Sequence, residues 1–176
     1  RASPLDWFET ERAGLVVAVD HASRSELPDI AGALALRLSV FFWHRCYADD
    51  WEQVLQQAIS CVRASGSDTL LARLLDGLFK AHLHRDRYDR LPEIAAEHLS
   101  VAGRLGDPER HVVALRNSGM AALHVGRVGE AFDRLEQAVT AARGQAVPHG
   151  LLRDCLDALG FAEASGLPYE LALIRN

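Results

Sequence analysis

The chain has 176 residues, 49% of them hydrophobic and 24% charged, which is enough for one domain with a real core or a short array of repeats. A net charge of −5 speaks against a general nucleic-acid binder, which carries a basic excess. No apolar run reaches the ~20 residues of a membrane helix. The longest, over 31–43, is interrupted by Arg37.

In chain order, Arg1-Ala-Ser-Pro leads straight into an amphipathic segment, with no signal peptide and no initiating Met. The expectation is a piece excised from a longer cytosolic protein. Apolar residues then recur at three- and four-residue steps. They predict helices over Leu5–His21, Ile30–Arg45, Trp51–Arg63, Leu70–Leu83, Leu91–Leu105, Val112–Val125, Ala131–Ala142 and Leu151–Ala164. β-branched alternation is nearly absent, so no sheet is expected. The breaks at 25–28, 65–68, 106–108, 126–127 and 144–148 hold helix-ending and helix-starting residues. Pro28 suits a first turn, whose N–H groups lack partners anyway. Asp107-Pro108-Glu109 reads as a capping Asp, a first-position Pro and an acid near the positive helix end. Pro92 requires its helix to begin near Asp89–Leu91. Three separated cysteines (Cys46, Cys61, Cys155) without a CxxC suggest reduced, buried thiols, Cys61 and Cys155 filling small holes in the core. Lys80 is the only Lys, and with abundant Ala this suggests a GC-rich bacterial genome.

Helices of similar length with short turns suggest antiparallel hairpins, and the hairpins repeat. Shifted back by about 40 residues, Leu115 lands on Leu75, Ala131 on Leu91 and Arg127-Val128 on Arg87-Tyr88. Shifted forward by about 41, Leu115 lands on Leu156, Gly119 on Gly160 and Ala131 on Ala172. A more diverged copy places Leu115 on Leu38, Val128 on Trp51 and Ala138 on Cys61. Gly in the first helix and Ala in the second let paired helices approach closely, while large apolar residues fill the space between hairpins.

Leu115, Gly119, Ala131, Leu135 and Ala138, in that order, resemble the tetratricopeptide repeat (TPR). The family's usual period is about 34; one near 40 resembles the longer-helix repeats of bacterial regulators. The resemblance is closest over 112–143, lower over 72–107 and 153–173, and lowest over 35–64. Phe79 stands where Gly is usual, and Leu91 and His98 stand where Ala is usual, so looser or re-angled packing is expected there. A second resemblance covers LDWFETERAGLVVAVDHAS (5–23), through Trp7, Phe8, Glu11, Arg12, Leu15 and Ala18. It is similar to the segment joining the ATPase and winged-helix module to the TPR array in large bacterial signal-transducing ATPase regulators, many of them SARP-like transcriptional regulators. CYADDWEQVLQQAI (46–59) resembles the first unit after that joint.

These resemblances imply an all-α fold: a right-handed superhelix of antiparallel helix hairpins, TPR-like, with a period of about 40. The expected organisation is a joining helix over 1–26 and one structural domain of repeats over 27–176. Its units are 28–64, 68–105, 108–143 and a truncated 148–176. The chemistry-bearing motifs are missing. There is no GxxxxGK[ST], HExxH, GxSxG or zinc-type Cys/His spacing. His82 and His84, like His44 and Cys46, are two apart and point away from each other on a helix. Asp49-Asp50, Glu93/Glu97 and Asp154/Asp157 read as helix-start acids and solvated faces. The chain is therefore read as non-enzymatic, with no cofactor and no metal.

Binding would lie on the inner side of the first helices. The repeat phase puts Ser39 and Trp43 there in the first unit, and Arg73, Asp76, Lys80 and His84 in the second. The third contributes Val113, Arg116, Met120 and His124, and the fourth Asp157 and Phe161. Aromatic and Met anchors with three cations suit a peptide or helix of some acidic character. The bland alternative makes Trp43 and Phe161 core or end-cap residues and pairs Arg73, Lys80 and Arg116 with nearby acids. The function expected is a protein- or peptide-interaction module, the TPR arm of a larger cytoplasmic bacterial transcriptional or signalling regulator. Its partner would be another protein or the parent's own domains, without direct nucleic-acid or membrane contact. Two alternatives stand beside it: a small-molecule or peptide-signal sensor with a concave pocket near Trp43, Lys80 and His84, and a self-association scaffold forming a homodimer.

Overall fold

The computed structural model describes the backbone of residues 4–144 and 147–174 and the side chains of residues 5–144 and 147–165. The described residues form eight α-helices and no strand. The helices are α1 (Pro4–Arg24), α2 (Pro28–Arg45), α3 (Ala48–Ser65), α4 (Asp68–His84), α5 (Leu91–Leu105), α6 (Pro108–His124), α7 (Val128–Gly144) and α8 (His149–Ile174). A single 3-10 turn, Tyr88–Arg90, precedes α5. The eight helices read from periodicity are all present, and the fold is an all-α helical-repeat array.

The helix boundaries follow local chemistry. Pro28, Pro92 and Pro108 each sit at the first or second helical position, where a missing N–H breaks no intrahelical bond. The Asp107 carboxylate accepts from the backbone N–H groups of Glu109 (2.9 Å) and Arg110 (3.2 Å), a side-chain cap on α6. Gly66 and Gly106 end α3 and α5 with φ of 75° and 64°, the left-handed conformation that glycine adopts without a Cβ penalty. The α8 helix runs beyond Ala164, where the apolar period ends. Ala172, the repeat's copy of Ala131, lies outside the described side chains.

The helices group into two compact units, residues 1–87 and 88–176, dividing the expected 68–105 repeat between Arg87 and Tyr88. In the first unit each helix packs on the next, and helices two apart also lie side by side: α1 with α3, α2 with α4. One register governs both layers. Arg12 meets Asp50 and Tyr47 meets Glu9 at a separation of 38 residues, and Gln57 meets Asp20 at 37. On the other layer a Cβ on Gly32 would come within 2.6 Å of Leu70, again at that spacing. This is slightly under the sequence period, because a ridge of side chains packs beside its equivalent rather than upon it. The core between the layers contains Phe42, Val54, Leu55, Ile59 and Val62, all fully or nearly fully buried. The α1 helix is integral to this unit: Phe8 stacks on Phe41 at 5.2 Å, and Arg45 pairs with Glu9 at 2.9 Å.

In the second unit α5 packs on α6, α6 on α7 and α7 on α8, with α6 beside α8. One close approach there is the one read from the repeat. A Cβ on Gly119 would lie 2.6 Å from Leu135 Cγ and 3.1 Å from the Ala131 carbonyl oxygen. Ala131, Leu135 and Ala138 are fully buried. Gly160 holds the corresponding sequence position, but among the described residues nothing lies within 4 Å of a Cβ built there.

Three glycine-to-alanine substitutions should therefore differ in sign and size. Gly119→Ala is expected to lower stability by about 1–3 kcal/mol, because Leu135 and the α7 backbone have no room to move. Gly32→Ala is expected to cost less, since half-buried Leu70 can rotate aside. Gly160→Ala, on an exposed helix face, is expected to gain about 0.5–1 kcal/mol from propensity alone. Thermal or urea unfolding monitored by circular dichroism measures all three.

Candidate binding groove

The close contact at Gly32 sets α2 directly against α4, and a groove opens along the seam beyond it. Leu36, Ser39, Val40 and Trp43 recur at three- and four-residue steps and so share one face of α2. Arg73, Asp76 and Lys80 do the same on α4, and Trp51 of α3 joins them around a cavity of about 200 Å³. The five residues Ser39, Trp43, Arg73, Asp76 and Lys80, placed on one surface from the repeat phase, thus line a single groove.

Its aromatic end is layered. Trp51 is buried, Trp43 is 56% exposed, and the two rings stack with centroids 6.2 Å apart and planes 21° apart. His84 continues the row 6.5 Å from Trp51 but does not line the cavity. Trp51 Nε1 is buried and, among the described residues, has no hydrogen-bond partner. The apolar wall extends along α2, where Ile30 and Val40 are 51% and 62% exposed. At the rim Lys80 pairs with Asp76 at 2.6 Å, and Arg73 is exposed. Ser39 Oγ donates to the Ala35 carbonyl, which occupies its proton within the helix. The rim thus presents two cations against one carboxylate.

In the second unit the candidates divide. Arg116 is built into a network: it pairs with Asp154 at 3.6 Å and donates to Asn117 Oδ1 at 3.0 Å. Buried Asn117 in turn lies 3.4 Å from fully buried His98. Met120 packs on the core formed by Leu135, Ala158 and Ala162. Val113 belongs to the core with Val112 and Leu115 and is not available for binding. The His124 ring stacks on Tyr88 at 4.2 Å and 14°, and Phe161 lies 6.4 Å from it with half its surface exposed. Asp157 is exposed. Trp43 and Phe161 are therefore surface aromatics rather than core residues.

Sequence reasoning passed over Leu36, Val40 and Trp51. The first two could have been found by extending the Ser39–Trp43 face backward at helical spacing. Trp51 is on a second helix, where the repeat gives it only as the copy of Val128. Also passed over was Glu52, whose largely buried carboxylate receives Arg85 at 2.8 Å and Arg87 at 2.9 Å and pins the turn after α4 to α3. The paired acids are tied up similarly: Asp49 meets Arg85 and Asp50 meets Arg12, each at 2.6 Å. Among the described residues no group of three or more His, Cys, Asp and Glu side chains could hold a metal ion, and no helix is long and apolar enough to cross a membrane.

The cysteines correct the expectation of buried thiols. Cys46 is exposed and ends α2 with φ 58°, Cys61 is half-buried, and only Cys155 lies in the core. Burial pushes the Cys155 thiol above its ordinary range; nearby Arg116 opposes this and Asp154 adds to it. No protein-family model matches the chain, and no curated protein matches it either.

Alkylation by iodoacetamide at pH 8 should follow this order: Cys46 fast, Cys61 slower, and Cys155 slowest until the chain unfolds, because the thiolate is the reactive species. Peptide mapping by mass spectrometry over a time course measures it. Rapid modification of folded Cys155 would contradict its placement.

Proposed function

We propose that the chain is a non-enzymatic interaction module, TPR-like in character, that binds a peptide segment of a partner through the α2–α4 groove. The observation that carries this reading is the exposed Trp43 ring, stacked on a buried Trp51 at the end of a groove with a cationic rim. An exposed indole backed by a rigid aromatic loses little conformational entropy on binding and buries a large area. The cavity of about 200 Å³ suits one apolar side chain, and Arg73 and Lys80 suit an acidic residue one helical turn away. It is smaller than the ~300–1,000 Å³ of typical small-molecule pockets, which favours a peptide over a metabolite there. Placement as the arm of a cytoplasmic bacterial transcriptional or signalling regulator rests on the resemblances of residues 5–23 and 46–59 and belongs to the same proposal.

The test is titration with a helical 14-residue peptide carrying Leu and Phe at three- and four-residue spacing and Glu on the flank, following tryptophan emission. Saturable quenching is expected. Trp43→Ala should weaken binding by about 2 kcal/mol or more, as for an interface anchor, while Trp7→Ala should not. Lys80→Gln should lower the association rate and its salt sensitivity. No saturable response, or equal affinity for Trp43→Ala, would overturn the reading. Concentration-dependent dimerisation in light scattering without a peptide response would favour self-association instead.

A further inference from the structure

The opposite layer of the first unit carries a second cleft, between α1 and α3, independent of the groove. At one end of this seam large side chains close the gap. Arg12 reaches Asp50 and lies 4.2 Å over the Tyr47 ring, while Tyr47 donates to Glu9 at 2.6 Å. Toward the far end the facing residues are small: Ser23 on α1, and Ser60, Cys61 and Ala64 on α3. Elsewhere small residues draw helices together, as at Gly119. Here they leave a cleft of about 660 Å³, within the ~300–1,000 Å³ that ligand sites occupy.

The cleft is rich in acceptors. Gln57 Nε2 donates to Asp20 Oδ1 at 3.1 Å. A carboxylate at neutral pH only accepts, so this bond orients the amide and leaves Oε1 as an acceptor. Gln57 Oε1 and Ser23 Oγ are both buried and, among the described residues, have no hydrogen-bond partner. A buried acceptor without a donor is unfavourable, so a donor that reaches either atom is stabilised there. Helices α1 and α3 both end beside the cleft, at Arg24 and Ser65, with the negative ends of their dipoles, and Glu26 adds a second carboxylate. The α2 helix begins there too; its first residue, Pro28, has no N–H, and Asp29 already sets a carboxylate in the positive first turn. The competing internal cation is Arg24, whose Nε lies 3.0 Å from Asp20 on a side chain 79% exposed. The Asp20 side chain is 29% exposed, and a partner as exposed as Arg24 is held there only weakly.

We propose that this cleft binds a small organic ammonium ion carrying further hydrogen-bond donors, held by Asp20 with Gln57 and Ser23, with Arg24 as the displaceable internal competitor. The test uses the whole chain with glucosamine and putrescine as probes and N-acetylglucosamine, which lacks the charge, as comparator. Calorimetry should show saturable binding of at least one amine, and the same amine should slow alkylation of Cys61 in a Cys46→Ser background. Asp20→Asn keeps an acceptor for Gln57 and should weaken binding about tenfold or more, the loss of one charge-assisted hydrogen bond. Arg24→Ala should tighten it. Glu163→Gln, an exposed acid in the other unit, should leave it unchanged. Absence of saturable binding by both amines overturns the proposal. So does equal weakening by Asp20→Asn and Glu163→Gln, which would mark general charge attraction, or equally tight binding of N-acetylglucosamine.

Discussion

The first unit depends on helices two apart in sequence meeting in one register. Where Gly32 meets Leu70, the absent Cβ brings α2 against α4. At nearly the same spacing Arg12 meets Asp50 and Gln57 meets Asp20, and these contacts hold α1 beside α3. A single amphipathic helix pair cannot bury its own apolar face, so this lateral contact converts hairpins into a folded unit. In the second unit Arg116 and Asp154 join α6 to α8 at the same separation of 38 residues, so the rule is a property of the repeat.

One packing rule leaves two chemically unlike surfaces on the first unit. On the α2–α4 layer the outward positions are Ile30, Val40, Trp43, Arg73 and Lys80, an apolar strip with a cationic edge. On the α1–α3 layer the far end offers Asp20, Ser23, Gln57 and Ser60, an acceptor-rich cleft. Both layers make contacts at nearly the same residue spacing, and side-chain size decides whether a seam closes, forms a narrow slot or opens into a cleft. Ion pairs decide which charges remain for binding. Glu52 gathers Arg85 and Arg87 into a structural cluster, and Arg116 is held by Asp154 and Asn117. Arg73 and Lys80 stay at the groove rim, Lys80 beside Asp76.

Much of the architecture was legible because helical periodicity is a local property. Apolar residues at three- and four-residue steps mark the buried face of each helix whatever it packs against. Asp107-Pro108 marks a helix start because the cap and the fixed φ act within one turn. Ser39, Trp43, Arg73, Asp76 and Lys80, expected on the inner side of the first helices, share one groove for a related reason: repeat phase assigns equivalent positions of successive first helices to one surface. Leu36 and Val40 obey the same periodicity and lay within reach. Trp51 did not, since a second-helix residue reaches a first-helix groove only through the third dimension.

The sequence by itself determined the helical class, the helical segments, most of their boundaries and the close approach of Gly119 to Ala131 and Leu135. All of these follow from spacing along one or two adjacent helices. Only the tertiary structure decided that no described side chain packs on Gly160, that Cys46 is exposed, that Arg116 is bound into a network and that the chain divides at Arg87. Each of those depends on how far apart two backbones come to rest and which side chains meet across the gap. A one-dimensional pattern records which residues face a neighbour, and the packed helices settle how closely it approaches.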